Sequence, residues 1–272
     1  MVSSEELQFS SWQEYWKTVG PALEKFIVGQ HNEPASQYLL SSYAYYSFSL
    51  EGLPKKIQKH NELVENAYPL LMQLQDILRG NLIAQDQLLL TNAGLNLRVA
   101  FEIRVNLRFI YQHDTPAVIL QRLSDFFDYE VLMGRKNSPY LEPPSEEEEK
   151  VFCRKFPFWA KGDRLISNAV WNGDGKTAKD ICDLVGMSNE YQSIFKMTSK
   201  LVHGSPLIKN LYRNCAGLNS IGNLETVTMF AALSTHHAME SLHEFFDFFG
   251  VEYDPLPYAL IQRHMLQIEE LK

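Results

Sequence analysis

The stretch LNLRVAFEIRVNLRF, residues 95–109, constrains the fold more than any other part of the chain. Taken in steps of two it alternates. Leu95, Leu97, Val99, Phe101, Ile103, Val105, Leu107 and Phe109 fall on one side; Asn96, Arg98, Glu102, Arg104, Asn106 and Arg108 fall on the other. That is the period of a half-buried strand. Yet the stretch is long for a strand, and a strand must find a partner for its backbone donors and acceptors. One other stretch alternates, LSSYAYYSFSL at 40–50, less regularly, and the chain between the two reads as helix. Helix formers on both sides decide for a helix. No face of that helix is wholly polar: Arg98 and Glu102 share one side, Arg104 and Arg108 another, and apolar residues fill the gaps. Such a helix sits centrally among others and carries charge inward. A buried ion costs several kcal/mol unless paired. Arg98 and Glu102 are therefore expected to pair with each other or with a group from another helix.

Helical periodicity recurs along the rest of the chain. It predicts helices over Ser11–Val28, kinked or split at Pro21, and over Lys56–Arg79, stopped by Gly80; between them lies a segment rich in tyrosine and serine, Ala35–Leu50, ended by Gly52 and Pro54 of EGLPKK. Pro116 suits the first turn of a helix reaching about Met133. Residues 134–149, GRKNSPYLEPPSEEEE, form a connecting segment. Ser145 with Glu148 is a capping box, so its glutamates begin a helix. Thr177 caps a short helix to Val185, closed by Gly186, and another runs from Asn189 to His203. Leu224–Phe249, closed by Gly250, and Pro255–Lys272 complete about nine or ten helices. The expectation is an all-α multi-helix bundle with a long central helix, one helical domain over 1–272, with residues 1–34 as an N-terminal extension.

Apolar residues make up 45% of the chain and charged residues 21%, enough to build a sizeable core. The net charge of −8 argues against non-specific nucleic-acid binding through total charge; any RNA contact needs a local cluster. Cys153, Cys182 and Cys215 are odd in number, far apart and without metal-ligand spacing, as expected of reduced thiols in a cytoplasmic protein. The acidic start MVSSEELQFSSWQEYW has no apolar signal core, and no run of about 18 apolar residues occurs, so no membrane association is expected.

Two groups of residues carry chemistry. In FKMTSKLVHGSP, residues 195–206, His203 ends a helix before Gly204 and Pro206. It reads either as a cap favoured by the helix dipole or as a general acid or base. In the 224–249 helix, His236, Glu240, His243 and Asp247 recur at steps of four, three and four and share one face. Glu240-x-x-His243 is half of a di-metal carboxylate motif, and these donors suit Zn, Fe or Mn. No second half occurs, which favours a plain amphipathic helix with its polar face in water. Tyr43, Tyr45, Tyr46 and Phe48 could stack bases, but no cations are interleaved, which favours a core or interface.

Arg98 and Glu102 in LRVAFEIR, with Ser199, His203, Gly204 and Ser205 in SKLVHGS, resemble a family of uncharacterised all-helical prokaryotic proteins related to the HEPN superfamily of helical RNases and RNA-binding domains. The resemblance spans about residues 35–250. It implies an RNA-acting protein of stress or phage defence, a metal-independent endoribonuclease that needs no cofactor. His203 would assist the attack of a 2′-hydroxyl, Arg98 would hold phosphate, and Glu102 would complete the catalytic set. Lys196, Lys200 and Ser205 would bind substrate. HEPN RNases carry their Arg on the same helix, shortly before the His. Here no Arg stands there, so Arg98 must come from another helix, and Lys196 and Lys200 bind phosphate only as point charges. Two alternatives stay open: a non-enzymatic helical interaction or scaffold protein, as a homodimer or with a protein partner, and a metal-binding bundle built on the 236–247 face.

Overall fold

The computed structural model describes residues 33–56, 61–112, 115–155, 160–161, 164–165, 177–202, 213–214, 217–218, 224–253 and 257–258, with Glu14 and Lys17. Nearly all of them are helical. We label the helices α1 (Glu33–Lys56), α2 (Asn61–Asp86), α3 (Leu90–Tyr111), α4 (Pro116–Asn137), α5 (Glu146–Lys155), α6 (Ala178–Leu184), α7 (Ser188–Glu190), α8 (Lys196–Val202) and α9 (Leu224–Phe249). A five-residue π-turn, Tyr191–Phe195, joins α7 to α8. The described strands are two antiparallel pairs of two residues each, 160–161 with 164–165 and 213–214 with 217–218. The fold is all-α. The helices expected over Ser11–Val28 and Pro255–Lys272 lie outside the described residues, apart from Glu14, Lys17, Pro257 and Tyr258.

The chain groups into two units: residues 1–59, 68–104 and 192–272 form one, and residues 60–67 and 105–191 the other. In the first unit, α9 packs along α1. The core here is Tyr38, Leu39, Tyr46, Leu50 and Leu53 of α1, Leu71, Leu74 and Leu78 of α2, Leu97 and Phe101 of α3, and Phe230 and Phe245 of α9. The tyrosine-rich stretch is thus core: Tyr45 and Tyr46 are buried, and the Tyr46 hydroxyl donates to the Leu71 carbonyl at 3.1 Å.

A polar tie crosses this core. Asn96 Nδ2 donates to Asn81 Oδ1 at 3.0 Å, and Asn81 Nδ2 donates to Thr235 Oγ1 at 3.1 Å, linking α3, α2 and α9. It explains why Gly80 does not stop α2, as the sequence predicts, but lies inside it. A Cβ on Gly80 would stand 2.9 Å from Asn96 Nδ2. The glycine admits the neighbouring helix instead of ending its own. The stop comes at residues 87–89, where Leu88 takes φ +53° and Leu89 N–H reaches back to the Ala84 carbonyl at 2.8 Å. Likewise Gly52 and Pro54 do not break α1: it runs through them to Lys56, the last residue of EGLPKK, with Leu53 fully buried in its last turns.

In the second unit α4 and α5 form a hairpin. Tyr129 faces Phe152, and Lys155 reaches Asp125 and Asp128 at 3.7 and 3.5 Å. Pro116 starts α4, as expected. Ser145 and Glu148 make the expected capping box, Ser145 N–H to Glu148 at 2.7 Å and Glu148 N–H to Ser145 Oγ at 3.2 Å. Thr177 and Asp180 make a second one on α6, and Gly186 follows at φ +73°. The end of α3 satisfies the orphan carbonyls of α6: Arg108 donates to Val185 O and Gln112 to Leu184 O. Cys153 and Cys182 are buried and unbridged; Cys215 lies outside the described residues. Among the described residues no helix is long and apolar enough to cross a membrane.

Candidate functional site

The opening stretch lies wholly within α3, so its charges are distributed around a helix and meet different neighbours. Arg98 leaves α3 toward the π-turn and α8. Its Nε donates to Glu102 Oε1 at 2.5 Å, the expected pair one turn apart. Its Nη1 donates to the Phe195 carbonyl at 3.1 Å and to Ser199 Oγ at 2.8 Å. The guanidinium carbon stands 3.2 Å over the Phe195 ring, a cation–π arrangement.

The π-turn shapes this arrangement. Besides Arg98, the Phe195 carbonyl accepts Ser199 Oγ at 2.7 Å and Thr198 Oγ1 at 3.4 Å. Single π-turns are rare and frequent at functional positions; this one turns both the ring and the carbonyl of one residue toward one guanidinium. A close approach brings α8 to α3. A Cβ on Gly94, one turn before Arg98, would stand 2.2 Å from Leu201 Cδ1 and 3.5 Å from the Phe230 ring. Glycine at this position leaves room for Leu201 of α8 against α3, close to where Ser199 meets Arg98.

The arginine is mostly enclosed, with 17% of its side chain exposed, while Glu102 is 45% exposed. Glu102 therefore faces water, and such a pair contributes at most about 1 kcal/mol. The Nη2 group makes none of these contacts. Lys196 and Lys200 are exposed on α8, Lys196 hydrogen-bonded to Gln192. His203 and Ser205 lie outside the described residues.

The face of α9 behaves differently from a water-facing stripe, and that expectation is corrected. His243 is 6% exposed. Its ring is surrounded by Tyr258 (centroids 3.7 Å), Tyr253 (4.6 Å), Tyr45 (5.9 Å) and Phe246 (6.0 Å). Neither ring nitrogen has a hydrogen-bond partner among the described residues. Burial pulls its pKa from 6.5 down to about 4, against the charges of Glu240 and Asp247. Asp247 is exposed. Glu240 turns to Arg104 and also accepts the Tyr258 hydroxyl. His236, Glu240, His243 and Asp247 thus share a face without converging. Among the described residues no three His, Cys, Asp or Glu side chains could hold a metal ion together.

Arg104 is the residue whose role the sequence leaves open. It is buried. Its Nη2 reaches Glu240 Oε2 at 3.1 Å and Glu244 Oε1 at 2.7 Å, and its Nε reaches Glu244 Oε1 at 3.1 Å. Its Nη1 lies 3.3 Å from His237 Nδ1. Arginine can only donate, so Nδ1 accepts and the His237 proton sits on Nε2. Burial, with the Glu240 charge, pushes the Tyr38 phenol up and keeps it neutral. This cluster ties α3 to α9. Its sequence signal was a second arginine inside an apolar helix, a charge that burial requires to be paired.

Residues 69–216 match the family described as a family of unknown function, DUF5677. No curated protein and no solved structure matches the chain. The match holds Arg98, Glu102, the π-turn and Ser199, and the sequence through His203; the α9 partners of Arg104 lie beyond it. It covers more than half of the 272 residues, and the chain belongs to the DUF5677 family.

Proposed function

We propose that this chain acts on RNA as a metal-independent endoribonuclease, in stress or phage defence, with Arg98 and His203 as its working pair. One observation carries the reading: Arg98, from α3, donates to Ser199 Oγ at 2.8 Å. Ser199 precedes His203 by four residues, one helical turn of sequence. In this reading Arg98, from another helix, stands in for the guanidinium that HEPN RNases carry on the segment before the His.

The chemistry follows from the residue types. His203 takes the proton of a ribose 2′-hydroxyl, whose oxygen attacks the adjacent phosphorus. The 5′-oxygen leaves and is protonated, giving a 2′,3′-cyclic phosphate. The Nη2 edge of Arg98 meets the charge that builds on the phosphoryl oxygens. Glu102, Phe195 and Ser199 hold the guanidinium, while Lys196, Lys200 and Ser205 draw in the backbone as point charges and donors.

The test is incubation of wild type and His203→Ala with bulk RNA in EDTA, followed by analysis of fragment ends. Cyclic phosphate ends from wild type alone support the reading. No cleavage by either protein favours a second reading, a helical interaction protein. That reading has its own support: the Nε and Nη1 of Arg98 are already engaged by Glu102, Phe195 and Ser199, as a helix-joining residue would be.

A further inference from the structure

We infer that the connection between α4 and α5 is a preformed docking knob for a partner protein with an apolar pocket edged by Lys and Arg. Tyr140 is 93% exposed and Leu141 54% exposed, side by side at the tip of this connection. An exposed loop tip is normally polar and loosely held. This one sets two large apolar side chains at its tip and is firmly braced. Arg135, in the last turn of α4, donates from Nε to the Glu142 carbonyl at 3.1 Å and from Nη2 to the Pro143 carbonyl at 3.4 Å. The same guanidinium makes a two-pronged contact with Glu148 at 3.0 and 3.3 Å. Glu148 in turn caps Ser145, and Tyr140 N–H donates to Ser138 Oγ at 3.2 Å. Pro139, Pro143 and Pro144 restrict the chain further.

Such bracing, around two large side chains that touch water, lowers the ordering cost of binding rather than of folding. Tyrosine is also among the residues that most often anchor protein interfaces.

Charge selects the kind of partner. Residues 138–149 hold five glutamates and no cation. Glu148 and Glu149 are neutralised by Arg135 and Lys136. Glu142, Glu146 and Glu147 remain exposed beside the knob, with Lys150 only at the 4.0 Å edge of Glu146. Nucleic acid is repelled from such a surface. A second copy of this chain, with its own net charge of −8, is also a poor match. A basic-edged protein pocket fits both the ring and the charge. The inference uses neither Arg98 nor His203 and stands apart from the RNase reading.

The test places a photoreactive benzoylphenylalanine at position 140 of the full chain, in the cells that make it. The adduct is identified, and that protein is purified and titrated with wild type, Tyr140→Ser and the charge reversal Glu142→Lys/Glu147→Lys. Expected is one adduct partner, bound at least tenfold more weakly by Tyr140→Ser. The charge reversal should weaken binding and flatten its salt dependence. Adducts with a second copy of the chain, adducts spread over many proteins or none at all, or an affinity indifferent to Tyr140→Ser would overturn the inference. Both variants alter exposed side chains, and unchanged circular dichroism checks that they fold.

Discussion

His243→Phe should stabilise the protein and remove one component of its pH dependence. The imidazole occupies an aromatic box with both nitrogens unpartnered among the described residues. The groups facing it are Tyr45, Phe246, Tyr253 and Tyr258, with the Glu240 and Asp247 carboxylates acting from a distance. Its pKa is about 4 in the fold and about 6.5 when exposed. The unfolded chain therefore binds the proton first as pH falls. Stability attributable to this residue is fully present above pH 6.5 and is lost progressively down to about pH 4. With these two values, the loss between pH 7 and pH 5 is about 2 kcal/mol. Removing the unpaired nitrogens should in addition raise stability at pH 7 by about 1 kcal/mol, the cost of a buried unmet polar group. Urea unfolding of wild type and His243→Phe at pH 7, 6 and 5 measures both. The wild type should lose stability relative to the variant as pH falls. Parallel pH profiles for the two proteins would refute the reasoning, since every other titrating group is shared.

Three further outcomes follow from the packing. Arg104→Met should destabilise by about 3 kcal/mol, because Glu240 and Glu244 lose the cation they share; adding Glu240→Gln and Glu244→Gln should restore most of it in urea melts. Gly94→Ala sets its new methyl against Leu201. Overpacking of about 1–3 kcal/mol should outweigh the gain of about 1 kcal/mol from helix propensity, and Leu201→Ala in the same chain should relieve part of it, a non-additivity readable by thermal unfolding. Glu148, held down to about 2 from 4.5 by Arg135 and by Ser145, should stay ionised at pH 3.5. The clamp's contribution is complete above about pH 4.5 and is lost progressively as pH falls from there through about 2; a carboxyl-carbon NMR titration of the folded protein reads the lower midpoint directly.

Local signals were legible in the sequence, and long-range ones were not. Ser145 with Glu148, and Thr177 as a cap, announce helix starts because a cap's partner lies within four residues. Gly186 and Gly250 announce stops because each takes a positive φ. Gly80 misleads because its reason is Asn96 on another helix. The requirement that Arg98 and Glu102 be paired could be read from a helix with no polar face. The identity of most partners could not: Glu240 and Glu244 stand more than 130 residues from Arg104. The face of α9 reads as water-facing because nothing in its periodicity reveals that Tyr253 and Tyr258 return to cover His243. Nor does periodicity reveal a π-turn, and with it the ring of Phe195 under Arg98.

The central claim is that Arg98 and His203 act together on one phosphodiester. The most direct test is the RNA cleavage rate in EDTA for wild type, Arg98→Ala, His203→Ala and the double variant. Members of one catalytic unit are non-additive. The account predicts a large loss in each single variant and little further loss in the double. Wild-type cleavage that survives either substitution, or losses that simply multiply, would contradict it.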